Sequence, residues 1–448
     1  MTKNIHIYIL IILMGSLFLI GEDGHTQPTI PKEKIPANIS AGVKEQISRL
    51  YSQDVKERAD AVFALGQMRE GAVPAIPFLI PLLKDLKYFQ WRPSSETNEK
   101  STSISNEAAN ALIKIGKPTG KFLIMALTDP HYLIRMKAAK ILGELKYPQA
   151  VEPLVAALKD EDINTRENAI WSLGKIADPQ AVQPLVPFLK DKEDYLREKA
   201  VGALAEIHDS QSVAPLVSVL NDKSEIVRRN AIEGLDRAKD GRAVGPFINA
   251  LKDRVPYNRA LAAKALGEIK DRRAVKPLVA LLKDSNEEIR KGAVRALGQI
   301  GDPSAVPYIS ALLKDREALN QYAAADALAS IGSAGIEPLM NAIRDRHSPV
   351  RDVAPRVFRK IGQPMVKSLL VGLKDRDPEF RRYLAFLLGE MGDPVAVEPL
   401  IDVLQDRDIM IRETAAMSLS QLAGENFGVD QKKWKDWWVA NKNRRGIQ

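Results

Sequence analysis

Ala150–Pro179 reads AVEPLVAALKDEDINTRENAIWSLGKIADP, and close copies of it run through most of the chain. Val151, Leu154, Val155 and Leu158 fall three or four residues apart, the spacing of one helix face, and Pro153 sits near the start, where a missing N–H costs little. The polar run Asp160–Asn164 breaks the pattern. From Thr165 to Ile176 it resumes with Ala169, Ile170, Leu173 and Ile176, so the stretch predicts a helical hairpin ending near Asp178 and Pro179. Neither helix can bury its stripe alone. A hairpin of this size gains a core only by stacking on copies of itself.

The copies are counted by the leucine that closes each second helix: Leu65, Leu112, Leu142, Leu173, Leu204, Leu235, Leu266, Leu297, Leu328, Leu388 and Leu419, with Phe358 in the remaining place. From Leu112 onward every step is 30 or 31 residues, which predicts 12 hairpins. A second ladder runs beside the first. Asp129, Asp160, Asp191, Asp222, Asp253, Asp284, Asp345, Asp375 and Asp406 are each followed six residues later by an arginine, from Arg135 to Arg412; Asp315 departs, with Gln321 in the arginine place.

With both ladders in view the sequence resembles the HEAT-repeat family, in the short form named after phycobilisome lyases, over roughly Val43–Ala423. The resemblance implies an all-α, right-handed solenoid in which Asp and Arg bond between successive repeats in the loop layer. An exposed ion pair is worth about 0–1 kcal/mol, so the ladder is expected to set register more than stability. The domain reading is an N-terminal export signal or anchor at 1–26, a Pro-rich linker at 27–40, a solenoid at 41–423 with an insertion loop at 86–103, and a C-terminal capping helix with a basic tail at 424–448.

Length alone would suggest about three globular domains, but a fixed period makes length a count of repeats. The chain has no cysteine, which excludes disulfides, thiolate metal sites and cysteine nucleophiles. Lys3 followed by the apolar run Ile5–Ile20 predicts export to the periplasm or beyond, of a bacterial protein, with an uncleaved anchor as the alternative. Of the formal charge of +8, half lies in Asp430–Arg445, where six basic residues face two acidic ones. The repeats mix both signs, so no nucleic-acid groove is expected, and membrane contact is expected only through the N-terminal segment or the basic tail.

Departures from the repeat locate the candidate sites. In hairpin two, Ser105 takes the arginine place 20 residues after Asp85, and the insertion carries Tyr88, Phe89 and Trp91, which either bind a partner or fold back as a shield. Pro355 falls inside the second helix of hairpin ten and is expected to bend it. Trp434, Trp437 and Trp438 lie at i, i+3 and i+4, so one helix presents all three as a cap over the last hairpin.

The resemblance also implies chemistries to test against the residues. Deoxyhypusine hydroxylase, an enzyme of this repeat class, holds two irons through His-Glu motifs. Here none of His6, His25, His131, His208 and His347 is followed by glutamate, and no catalytic residue, metal or cofactor is assigned. A bilin-lyase-like enzyme stays open as the alternative function. In HEAT arrays the second helices line the concave face. The row five residues after the ladder arginine includes Trp171, Lys264, Arg295, Arg356, Phe386 and Met417, with Lys291 and Tyr383 beside it. This predicts a groove with a basic centre and aromatic ends, binding an extended or acidic partner protein.

Overall fold

A computed structural model describes residues 28–91 and 100–442. Among them twelve helical hairpins follow one another, and the chain divides into two compact units, Met1–Ala238 and Lys239–Gln448, each an α-solenoid of six hairpins. The segment 1–26 expected to be an export signal or anchor lies outside the described residues, as do the middle of the insertion and the last residues of the basic tail. Among the described residues no helix is long and apolar enough to cross a membrane.

Hairpin four shows why the repeat folds. Its helices span Val151–Ala157 and Ile163–Ile176. Asp162 caps the second by accepting the Thr165 N–H at 2.7 Å. Ala177 ends that helix in the left-handed conformation at φ 60°. Lys270 takes the same place three repeats later at φ 61°, whereas Gly301 fills it without a Cβ to strain.

The leucine ladder is the core. All eleven leucines and Phe358 are fully buried, and burying one such side chain is worth about 1.5–3 kcal/mol. Within each unit successive second helices then approach backbone to backbone. A Cβ added to Gly174 would sit 2.7 Å from Ala203 Cα, and one on Gly298 would sit 2.7 Å from Ala327 Cα. The close approach is also hydrogen-bonded: Ser172 Oγ donates to the Ala139 carbonyl at 2.8 Å and Ser418 Oγ to that of Ala385 at 2.9 Å.

At four joints the Asp–Arg ladder bonds successive hairpins as anticipated, whereas Arg166 and Arg290 donate to carbonyls of their own loops, and burial at the four joints corrects the estimate of the pairs' worth. Arg135 donates twice to Asp160, at 2.7 and 2.9 Å, and its remaining guanidinium nitrogen reaches the carbonyls of Asp129 and Pro130 in its own loop. Arg197 with Asp222, Arg259 with Asp284 and Arg381 with Asp406 repeat the geometry. The arginine side chains in these pairs are only 5–17% exposed. They are not surface pairs, because each loop folds over its neighbour. The exceptions are repaired locally: Gln321 Nε2 donates to the Asp315 carbonyl at 2.7 Å, as the arginines do, and Ser105 Oγ donates to the Leu83 carbonyl.

The ends are also taken up in the fold. Residues 28–40 do not form a free linker: Ile30 is buried and its carbonyl accepts the Tyr51 hydroxyl. The insertion contains an antiparallel ribbon, β1 (Tyr88–Trp91) and β2 (Lys100–Ser103), with Trp91 opposite Lys100, where the sequence suggested only a loop. At the far end the helix Gln431–Asn441 buries Trp434 and Trp438, and Trp434 Nε1 donates to the Gly428 carbonyl at 2.8 Å. Trp437 is half-buried beside them.

Candidate functional site

In the first unit the exposed row of the second helices runs through Phe63 and Trp171. Trp171 is half-buried, and Lys175, one turn on, holds its Nζ 5.8 Å from the ring centre. Near Phe63 the ribbon closes over the helices. Trp91 is 2% exposed, meets the Phe63 ring edge-to-face at 5.8 Å and donates through Nε1 to Asp60 at 3.0 Å. Of the insertion aromatics, then, Trp91 is a shield, Phe89 is half-covered, and Tyr88 is 65% exposed. Beneath the ribbon lies a cleft of about 170 Å³ lined by Phe63, Lys100, Glu107, Asn110 and Lys114.

In the second unit the row carries Lys264, Arg295, Arg356, Phe386 and Met417, and here the basic centre needs correcting. Lys264 lies 3.2 Å from Glu268, one turn away. Lys291 is held by Glu287 at 2.7 Å and Glu288 at 3.3 Å. Arg356 makes a two-pronged bond to Asp326 at 2.6 and 2.8 Å. These charges are compensated because the repeat places a carboxylate either four residues or thirty residues away. Arg295 alone of the four is exposed without an ion pair among the described residues. Its guanidinium is available to a carboxylate from outside.

Tyr383 has an internal task that the sequence reading missed. Pro355 has no N–H to donate to the Arg351 carbonyl four residues back, and the Tyr383 hydroxyl donates to that carbonyl at 2.7 Å. The Arg351 guanidinium lies 4.4 Å from the Tyr383 ring centre. Burial pushes the Tyr383 phenol well above its ordinary value, Arg351 opposing and Asp352 adding to the shift. Part of the signal was present in the sequence: a proline inside a helix frees the carbonyl four residues before it, which then needs another donor.

Phe386 stacks on Tyr383 at 6.0 Å and remains 42% exposed, while Met417, at the same place on the next second helix, is 74% exposed. The two helices touch through Gly389 and Ser418, so Phe386 and Met417 are exposed at the same register of adjacent helices. The histidines are dispersed. His131 Nδ1 accepts the Leu133 N–H that starts a helix, His208 ends another at φ 53°, and His347 lies in the loop of hairpin ten. Burial, with Lys84 nearby, lowers the His131 pKa.

The repeat geometry agrees with what known proteins show. The family model of HEAT repeats matches residues 120–205, 182–253, 244–329 and 366–428, more than half of the chain, and that of the PBS lyase HEAT-like repeat matches 57–85 and 321–345. The chain belongs to the HEAT-repeat family. Among curated HEAT-containing relatives, phycocyanobilin lyase subunit alpha of Picosynechococcus sp. is 42% identical over 72 residues, 14% of this chain and 27% of that protein. Deoxyhypusine hydroxylase of Coccidioides immitis is 34% identical over 94 residues, 20% of this chain and 26% of that protein. This HEAT chain therefore spans about a quarter of the length of the curated relatives it matches. Among solved structures, a Kap121p mutant superimposes with a TM-score of 0.53 at 13% identity, over 90% of this chain and 51% of that one, a likeness of fold. The CpcE–CpcF complex of phycocyanin lyase from Nostoc sp. gives a TM-score of 0.31 at 24% identity, over 50% of this chain and 94% of that one.

Proposed function

We propose that this HEAT protein is a non-enzymatic binding or scaffold module, which holds an extended or acidic partner protein against the exposed face of its second helices. One observation carries the reading: Phe386 and Met417, on adjacent helices, expose apolar surface at a register that is otherwise polar over most of the repeats. An aromatic and a methionine at the surface are common anchors of protein interfaces, methionine because it adapts to varied shapes. Arg295 adds an uncompensated cation on the same row, and Trp171 is the large group at that position in the first unit that the ribbon does not cover, Phe63 lying against Trp91.

The proposal includes export, supported by the apolar run Ile5–Ile20 and by the lack of cysteine. Fusing residues 1–40 to a phosphatase active only outside the cytoplasm tests that part. The binding face is tested by affinity capture from the native cell envelope with the parent chain, with Phe386→Asp combined with Met417→Asp, with Arg295→Glu and with Trp171→Ala. Loss of one captured protein in the double variant, with an unchanged circular dichroism spectrum, is expected; equal capture by every folded variant rejects the face. Metal analysis and an absorbance spectrum of the purified protein address the enzymatic alternatives, since bound iron or a chromophore would favour a hydroxylase-like or lyase-like enzyme.

A further inference from the structure

The loop joining the two helices of each hairpin has a different character in the second unit. Directly after the ladder aspartate stand Arg254, Ser285, Arg316, Arg346, Arg376 and Arg407, and all five arginines are exposed. The same place in hairpins three to six holds Pro130, Glu161, Lys192 and Lys223. Arg316, Arg376 and Arg407 make no ion pair among the described residues, because the nearby carboxylates face other partners: Asp284 takes Arg259, Asp375 takes Arg344 and Asp406 takes Arg381. Of the helix-start acids on this edge, Glu287 and Glu288 hold Lys291 and Glu379 holds Arg382, while Glu317 and Asp377 stay exposed.

Three residues beyond the arginine position, in the first turn of the second helix beside the loop, three hairpins expose an apolar side chain. Tyr257 is 54% exposed, Leu319 61% and Met410 48%. Packed helices lie about 8–10 Å apart, so the loops and the helix starts beside them line up cations and apolar tips along one edge of the unit. A soluble acidic chain would use the cations and gain little from the tips. A bilayer with anionic headgroups uses both, since long arginine side chains reach phosphates while tyrosine, leucine and methionine enter the boundary beneath them.

We infer that this loop edge of the second unit docks on an anionic lipid bilayer. The apolar run Ile5–Ile20 does not select for lipid charge, so the test must read the edge itself. The chain has no native cysteine, which allows a polarity-sensitive fluorophore to be placed on the full-length protein at Met410→Cys, with Ser304→Cys as a control in the turn at the opposite end of the helices. With vesicles of phosphatidylglycerol and phosphatidylcholine at low salt, the label at 410 shifts to the blue and the label at 304 does not. With phosphatidylcholine alone neither shifts. Reversing Arg316, Arg376 and Arg407 to Glu weakens binding to anionic vesicles on the order of a hundredfold, with an unchanged circular dichroism spectrum. No shift at 410 on anionic vesicles, an equal shift on neutral ones, or an equal shift at 304 overturns the inference. So does arginine-dependent binding of polyglutamate by a chain whose 410 label stays aqueous on vesicles, which would make the edge a protein-facing one.

Discussion

The Tyr383 hydroxyl completes the helix that Pro355 interrupts, by donating at 2.7 Å to the Arg351 carbonyl in the preceding hairpin. Leaving a partly buried carbonyl without a donor costs roughly 1–3 kcal/mol. Tyr383→Phe is therefore expected to lower the stability of the chain by about 1–2 kcal/mol in urea unfolding. In a Pro355→Ala background the helix supplies its own N–H, so the cost of Tyr383→Phe should shrink, with a coupling of about 0.5 kcal/mol or more. Strict additivity of the two substitutions would show that the bond is incidental.

The ladder makes the fold acid-sensitive in a defined direction. At Asp160, Asp222, Asp284 and Asp406 burial opposes the charge, but hydrogen bonds from Arg135, Arg197, Arg259 and Arg381 and from the N–H two residues on outweigh it. Their folded pKa values lie below the ordinary 3.8. A depressed carboxylate contributes stability that is present above the unfolded value and lost as pH falls through the folded one. The melting temperature should be level near neutral pH and drop below about pH 4, and Asp222→Asn should flatten that drop.

Removing one partner of a ladder pair is costlier than titrating it, since the other charge stays in place. Arg197→Ala strands Asp222 and is expected to cost about 3 kcal/mol, the lower end for a buried pair. A loss under about 1 kcal/mol in chemical denaturation would return the ladder to the rank of a surface pair.

Gly298 marks a backbone contact. Gly298→Val places side-chain atoms against Ala327, where even a Cβ would come within 2.7 Å of its Cα. The expected loss is about 1–3 kcal/mol, measured as a lower urea midpoint with an unchanged slope.

Lys270 holds the left-handed place at φ 61° that Gly301 fills one repeat later. Lys270→Gly should raise stability by about 1 kcal/mol, and Gly301→Ala should lower it by a similar amount.

The residues that read correctly from sequence are those whose role repeats every hairpin. Leu173 and its equivalents announced the core, and Arg135 with Asp160 announced the joints, because a period of 30 or 31 residues projects one environment onto many copies. The candidate site read less well, since it depends on what lies one repeat away. Asp326 cancels Arg356 across thirty residues, which register counting could have found. Trp91 was ambiguous because a shield and a binding aromatic have the same composition, and only the contact with Phe63 and Asp60 separates them. The glycines facing Ala203 and Ala327 gave no sign in the sequence of how near the neighbouring backbone would come.

Hairpin ten carries several irregularities at once. Gln321 stands for an arginine one hairpin before it, Arg351 turns to the Ile343 carbonyl at 2.7 Å, and Arg359 occupies the place that the small residues Ala329 and Gly389 fill in the hairpins on either side. In a stack whose members contact only their neighbours, a hairpin whose own arginine leaves the ladder sets where the second unit opens first, because the exposed bonds of Arg356, Arg359 and Lys360 to its neighbours are worth only about 0–1 kcal/mol each. Under limited proteolysis the earliest scissions of that unit fall within Val350–Ile361, and a break there parts hairpins eleven and twelve from the rest while each remaining stack still holds its own core.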